Sequence, residues 1–468
     1  MSRRAALQHI GLGIGAAAFG ASCVPGPDHC AGGPDPSPDA NTAGRKLLAG
    51  IDTFVVVMME NRSFDHFLGG LSLDPNYPAR DIVDGLHGQE SNDDVNGVPV
   101  LVHPTPGVLN GGPVHDWDSA RRTFDLGRND GFVRVNEGPT QADTMTYHER
   151  SRLPLHYALA DEYAVCDRWF ASVMGPTWPN RFYLHAATSE GRRGNTPILD
   201  VGPATIWENM EKRCLTCKGY AAGLIPWYLT AFPGKALSGS DPMIHARIEN
   251  FFDDARSGNL PNFSLIDPDF FSNDMHPPHD LALGEAFLGS IVRAMQQSPQ
   301  WGRSLLVITY DEHGGFFDHV APPTTSDVRA EFRQLGFRVP ALVIGPTVRR
   351  GAVVSTTFEH VSIAATLGAR FGMESLGPRM DAAHDLSSCI DPALVGAAPQ
   401  RSRKLPVASF DLRGGVPFNL HWSSQPEMEL AVLLGRVPAG ALDPRSSEER
   451  FRSWLRRAQE LEAATVRD

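Results

Sequence analysis

The sequence predicts an α/β fold built on a buried parallel sheet, and three observations lead there. Val55-Val-Val-Met-Met59 is continuously apolar, the pattern of a strand covered on both faces. Ser304-Leu-Leu-Val-Ile-Thr-Tyr310 is a second such run. Helical patterns stand after strand-like segments, as where His360–Phe371 follows Val339–Gly345. With 468 residues, 42% of them hydrophobic, the chain can bury one large core and still carry an appendage.

The first strand stops on Glu60 and Asn61, and the second on Asp311, Glu312, His313, Gly314 and Gly315. Ligands collect outside the carboxyl ends of strands in open α/β sheets, and these side chains offer oxygen to a hard cation. A polar turn that only starts the next helix is the competing reading for one strand end, and it accounts less well for two. A third element is Gly175-Pro-Thr177-Trp-Pro-Asn180-Arg181, followed by the helical pattern Arg181-Phe-Tyr-Leu-His-Ala-Ala187. Near a helix N-terminus, where free N–H groups favour an anion, Thr177 is either an N-cap or, beside a divalent cation, a nucleophile. Arg181, one helical turn later, either grips phosphoryl oxygens or makes a salt bridge inside the helix layer.

Glu60-Asn-Arg-Ser-Phe-Asp65, Gly175-Pro-Thr177-x-Pro-Asn180-Arg181 and Tyr310-Asp-Glu-His-Gly-Gly-Phe-Phe-Asp318-His319 resemble the bacterial phosphoesterase family of phospholipases C and related acid phosphatases. Leu153–Asp161, Cys166-Asp167 and His276-Pro-Pro278 agree, so the resemblance covers about residues 50 to 375. It implies an alkaline-phosphatase-like three-layer α/β/α sandwich holding one divalent metal. By the same resemblance Glu60, Asn61, Thr177, Asp311 and Glu312 hold the metal, Thr177 is the nucleophile and His276 gives a proton to the leaving group. Arg181 joins them as a catalytic group, and Asn61, His115 and Asn180 are expected on the substrate. Oxygen-dominated ligands favour Ca²⁺, Mg²⁺ or Mn²⁺, with Zn²⁺ the alternative. Thr177-x-Pro-x-Arg181 also resembles the sulfatase signature, but threonine cannot give the formylglycine aldehyde which that route needs.

His276 and His279 flank two prolines that stiffen their loop, and histidine suits proton transfer near neutral pH. His279 is the substitute if the loop register differs. His115 is either a substrate contact or an ordinary surface histidine. His313, Asp318 and His319 are read as groups that orient the ligands or anchor the glycine-rich loop.

Residues 1–22 read as a signal peptide, with Arg3-Arg4 favouring the twin-arginine export machinery. The expected destination is therefore periplasmic, cell-surface or secreted, and Gly20-Ala-Ser-Cys23 leaves open a lipid on Cys23. Residues 23–48 read as a linker, 49–386 as the phosphoesterase domain and 387–468 as a C-terminal extension. Cys214-Leu-Thr-Cys217 is read as a local disulfide or as two unlinked thiols, since no second pair completes a zinc site. Phe451, Trp454, Leu455, Ala458 and Leu461 form one helical stripe, which packs on the parent domain or makes peripheral membrane contact. A net charge of −12 argues against nucleic acid as a partner and against adhesion to anionic lipid.

The expected substrate is a phospholipid, cleaved as by a phospholipase C to diacylglycerol and a phosphorylated headgroup. The alternatives are a phosphomonoester cleaved by an acid phosphatase, and a non-catalytic metal-binding scaffold. Phe270, Phe271, Phe316 and Phe317 either line an acyl trough or pack in the core.

Overall fold

Every residue from Thr53 to Met59 and from Ser304 to Tyr310 is buried, so both apolar runs lie between covering layers. A computed structural model describes residues 43–411 and 444–467, apart from 108, 110, 137, 139, 224, 225, 242 and 400–403. The signal peptide, Cys23 and the first part of the expected linker lie outside the described residues. Its last part differs from expectation: Ala43–Leu48 is a helix, and the Leu48 side chain is buried.

In chain order, the strands of the main sheet are β1 (Thr53–Met59), β2 (Ala164–Val165), β3 (Cys217–Ala221), β4 (Ile244–Arg247), β5 (Phe263–Asp267), β6 (Ser304–Tyr310), β7 (Ala341–Ile344) and β8 (Ala352–Val353). Their spatial order is β8-β2-β7-β6-β1-β5-β3-β4. Strands β6, β1, β5, β3 and β4 run parallel, whereas β7 is antiparallel to both β6 and β2. The register sets Val57 beside Ile308 and Met59 beside Tyr310. Glu60 and Asp311 therefore leave the sheet side by side, and the Asp311 N–H donates to Met59 O at 3.1 Å.

Among the described residues, the longer helices are α1 (Trp117–Phe124), α2 (Pro154–Glu162), α3 (Thr177–Ala186), α4 (Ile206–Lys212), α5 (Ile248–Ser257), α6 (Leu281–Gln297), α7 (Val361–Phe371) and α8 (Pro444–Glu460). Seven of them pack in two groups: α6 with α2, α5 and α8, and α3 with α4 and α7. On the α7 side Phe54, Val56, Leu305 and Val307 line one small cavity together with Ile363 and Leu367. On the α6 side His156 Nε2 lies 3.0 Å from the Tyr310 hydroxyl, and the Leu155 N–H donates to Glu285 Oε2 at 2.6 Å. Sheet between helix layers is the three-layer α/β/α arrangement.

The C-terminal stripe has its partner in this core. Phe451, Trp454, Leu455 and Ala458 are buried, and Trp454 stands 6.3 Å from Phe287 of α6. The apolar face is thus covered by protein. Among the described residues, no helix is long and apolar enough to cross a membrane. Cys214 is disulfide-bonded while Cys217 is a free buried thiol, so the local Cys214–Cys217 disulfide is excluded. Trp454→Ala should lower unfolding free energy by about 3 kcal/mol through the cavity it leaves, with little change in hydrolysis per folded molecule. Urea denaturation measures this, and an unchanged midpoint would show that the stripe adds nothing to the core.

Candidate active site

The two central strand ends converge because their turns interlock. Asn61 adopts a left-handed backbone (φ 56°), which asparagine tolerates, and its N–H donates to Asp311 Oδ1 at 2.8 Å. The Glu312 N–H donates to the same oxygen at 2.7 Å. Gly314, also left-handed at φ 63°, closes the turn: a Cβ there would lie 2.2 Å from Asn61 O. Only glycine allows the two turns to approach this closely.

Thr177 is the first residue of α3, and Pro176 occupies the N-cap position without a side-chain cap. The N-cap reading of Thr177 is therefore corrected. Its hydroxyl instead lies 3.4 Å from Glu60 Oε2 and 3.3 Å from Asn61 Oδ1. His115 Nδ1 bonds to Pro113 O at 2.7 Å, and its Nε2 meets Asn61 Nδ2 at 3.0 Å and Glu312 Oε1 at 3.5 Å. Glu60, Asn61, His115, Thr177, Asp311 and Glu312 are thus brought together.

Two expected substrate-facing groups are engaged elsewhere. Asn180 spends its amide on the loop before α3, donating to Val173 O, Gly175 O and Pro176 O and accepting from the Val173 N–H. It braces the loop that precedes Thr177 and has no donor left for substrate. Arg181 is buried and donates to Glu60 Oε1 from Nε at 3.1 Å and from Nη2 at 2.5 Å. Nη1 donates to Asp267 Oδ1 and Nη2 donates to Met58 O as well, each at 3.0 Å. Of the two readings of Arg181, the structure has the internal salt bridge.

His276 lies on a separate loop, its ring 6.3 Å from that of His115. Nδ1 is 2.5 Å from Pro277 O. Burial pushes its imidazole down to about 4, against the opposing charge of Asp274. The ring is therefore neutral at pH 7 in the free protein. Asp274 Oδ1 accepts from His276 N and lies 2.5 Å from His279 Nδ1, while its carbonyl takes the Glu60 N–H at 3.0 Å. His279 thus braces this loop through Asp274. Arg62 fastens the loop as well, donating to Met275 O from Nε at 2.7 Å and from Nη2 at 2.5 Å.

Sequence reasoning missed Asp267, Asp274 and His360. Asp267 ends β5 as Asp311 follows β6, so the strand-end signal was there to be read. His360 Nε2 lies 2.6 Å from Asp311 O and carried no local signal. Of the four phenylalanines, Phe270, Phe316 and Phe317 are buried in the core and only Phe271 is half-buried.

Three carboxylates share this small volume. Glu60 is raised well above the usual carboxylate range by burial and then by Asp311, although Arg181 opposes the shift. Asp311 is pushed up to about 7 by burial and the charge of Glu312. Burial would raise Glu312 too, but His115, His313 and the Gly314 N–H hold it lower. Asp311 Oδ2 and Glu312 Oε1 lie buried without a hydrogen bond. Unbonded buried carboxylate oxygens are costly, and they fit a cation as the missing partner. The fit is incomplete as a cage: among the described residues, no three His, Cys, Asp or Glu side chains converge closely enough to hold an ion by themselves. Any such site also needs the oxygens of Asn61 and Thr177.

Residues 51–374 match the phosphoesterase family, and the chain belongs to it. It is 35% identical to non-specific phospholipase C1 of Arabidopsis thaliana over 70% of this chain and 68% of that one. It is 30% identical to phospholipase C A of Mycobacterium tuberculosis over 89% of each chain. Among solved structures, the lipoteichoic acid synthase LtaP of Listeria monocytogenes overlays 76% of this chain and 80% of that chain, with a TM-score of 0.41 at 10% identity. A protein of the alkaline phosphatase superfamily from Vibrio parahaemolyticus overlays 74% of this chain and 78% of that one, with a TM-score of 0.34 at 11% identity. The chain is a hydrolase of phosphoester bonds.

Behind the site, His319 Nδ1 meets Asp65 Oδ2 at 2.7 Å and Nε2 meets Asp84 Oδ1 at 3.0 Å. Burial opposes the charge on His319, but Asp65, with help from Asp318, raises it to about 9 against the repulsion of Arg338. A folded value above the unfolded 6.5 means that the stabilisation is complete below about pH 6.5 and is lost as pH rises to about 9. His319→Gln should cost roughly 2 kcal/mol at pH 6 and flatten the stability decline between pH 6.5 and 9. Denaturation midpoints across that range test the sign, and an unchanged slope would refute it.

Proposed function

We propose that this chain is an exported, metal-dependent phospholipase C that cleaves glycerophospholipids through a phosphothreonine on Thr177. The observation that carries the reading is the Thr177 hydroxyl, at the start of a ten-residue helix and 3.3–3.4 Å from Asn61 and Glu60. A helix N-terminus favours the phosphoryl group that such a hydroxyl would attack. Relatives named phospholipase C, from both a plant and a bacterium, support a phospholipid substrate.

Glu60, Asn61, Thr177, Asp311 and Glu312 would hold one divalent ion, of the oxygen-seeking kind. Such an ion, when bound, makes a nearby hydroxyl more acidic and offsets the charge of phosphoryl oxygens. The unbonded oxygens of Asp311 and Glu312 support that assignment. In the reaction, Thr177 Oγ releases its proton to water and forms a bond to phosphorus as the bond to the glycerol oxygen breaks. The departing alcohol takes a proton from His276 Nε2. Since burial keeps His276 neutral near pH 7 in the free protein, the charge of the bound phosphodiester has to raise it first. Water then hydrolyses the phosphothreonine. Arg181 holds Glu60 in place throughout and does not touch phosphate.

Acid phosphatase activity on monoesters is the second reading. One observation favours it: Phe270, Phe316 and Phe317, the candidates for an acyl trough, are buried in the core.

Two paired assays separate the readings: diacylglycerol release from phosphatidylcholine, and phosphate release from an aryl monoester, each with added metal and with chelator. A phospholipase C releases diacylglycerol and stops when the metal is chelated. Phosphate release without lipid cleavage would make the chain an acid phosphatase, and unchanged turnover in chelator would remove the metal. Thr177→Ala should lower kcat by about a thousandfold or more, with an unchanged unfolding midpoint. Turnover within tenfold of the parent protein would discard Thr177 as nucleophile.

A further inference from the structure

We propose that Arg121 and Arg193, stacked on Trp117 beside the loop that carries Thr177, form a subsite for an oxyanion on the substrate headgroup. The preferred substrates would then be phospholipids whose headgroup has its own carboxylate or phosphate. This rests on the reading of Thr177 as the attacking group.

Trp117 links the cluster to the site on two sides. It lies two residues from His115, which reaches Asn61 and Glu312. It also packs against Gly175, where a Cβ would come within 3.5 Å of Trp117 Cε3. Arg121 lies 3.1 Å from the Trp117 ring centroid, and Arg193 lies 4.8 Å from it. From Nη1, Arg121 donates to Met174 O at 2.6 Å, three residues before Thr177, and to Trp117 O at 3.0 Å, while Nη2 reaches Glu331 O at 3.4 Å and Nε makes no such bond among the described residues. Stacking on an indole holds guanidinium planes in fixed orientations, which suits two-point recognition of an oxyanion.

The positive charge here is poorly balanced. Arg121 is lowered to about 10, by burial first and then by the charge of Arg193, with only Asp118 opposing. Among the described residues, the acid paired with Arg193 is Glu331, at 3.6 Å, with both side chains about half exposed. The nearby Asp327 is already engaged by Tyr183, Arg379 and the Arg329 N–H. Arg329 adds a third guanidinium: its Cζ would lie 2.9 Å from a Cβ on Gly191, two residues from Arg193. Two arginines therefore share one indole beside the loop of Thr177, with a third next to Gly191, in a chain whose net charge is −12. Like charges held this close repel, and an oxyanion between them turns repulsion into attraction.

The test uses the full chain and short-chain lipids below their micelle concentration, so that surface binding does not enter. The ratio of kcat/KM for phosphatidylserine over phosphatidylcholine is measured for the parent protein, Arg193→Gln and Arg193→Lys. Arg193→Gln should lower the ratio about tenfold, Arg193→Lys should lower it less, and a control change at exposed Arg256 should leave it alone. An unchanged ratio in Arg193→Gln would overturn the subsite. A preference seen on mixed vesicles but not with monomers would also overturn it, assigning the arginines to the lipid surface. If neither lipid is cleaved but an aryl phosphate is, the lipid reading fails separately. Inhibition of aryl phosphate hydrolysis by phosphoserine against phosphocholine then reads the same subsite. Arg193→Gln should weaken phosphoserine about tenfold more than phosphocholine, and equal weakening would overturn the assignment.

Discussion

The structure depends on holding Glu60, Asp311 and Glu312 together in a place where carboxylates repel and water is scarce. Arg181 makes this tolerable at one corner. Its guanidinium grips Glu60 Oε1 through two nitrogens and braces itself on Asp267 and Met58 O. Removing one partner of a buried pair leaves a charge without compensation, so Arg181 cannot also be released to bind phosphate. The remaining acidity is divided between His115, His313 and the backbone N–H groups of two interlocked turns. The oxygens left over, Asp311 Oδ2 and Glu312 Oε1, are the unbalanced part of the site.

That balance extends through the fold. Parallel pairing of β1 with β6 delivers Glu60 and Asp311 at one level, and β5 delivers Asp267 beside them. Helix α3 contributes Thr177 and Arg181 one turn apart, so the element that presents the hydroxyl also neutralises Glu60. Asn180, between them, ties the preceding loop to the helix. The loop with His276 is fastened by Arg62 and Asp274, both attached to the segment after β1. Site and scaffold share the same side chains, which places most of its charged residues in fixed hydrogen bonds. The arginines on Trp117 differ, since their charge is only partly answered by protein.

Much of this was legible in the amino-acid order. Short, continuous apolar runs rich in β-branched residues read as buried strands, and the residues just past a parallel strand stand at the edge where ligands collect. Glu60, Asn61, Asp311 and Glu312 were therefore readable as one candidate site. The Thr177-to-Arg181 spacing placed both on one helical face. Gly314 and Gly315 signalled a tight turn, although not that a neighbouring carbonyl required it. The stripe at Phe451, Trp454, Leu455 and Ala458 announced a buried face without saying what would bury it.

Tertiary structure alone decided which partner each polar group took. Arg181 could reach phosphate or carboxylate, and it was the convergence of β1 and β5 that put Glu60 and Asp267 within reach. Asn180 could face substrate, yet the path of its own loop surrounds it with carbonyls. His360 lies 49 residues from the Asp311 carbonyl it bonds, and nothing local marks it. Burial also lowers His276 to about 4, a shift that comes from the surrounding protein and not from the residue type. Periodicity and spacing act over a few residues and are written in the chain itself. Charge pairing, burial and desolvation depend on distances between remote segments, which exist only once the sheet and its two helix layers have assembled.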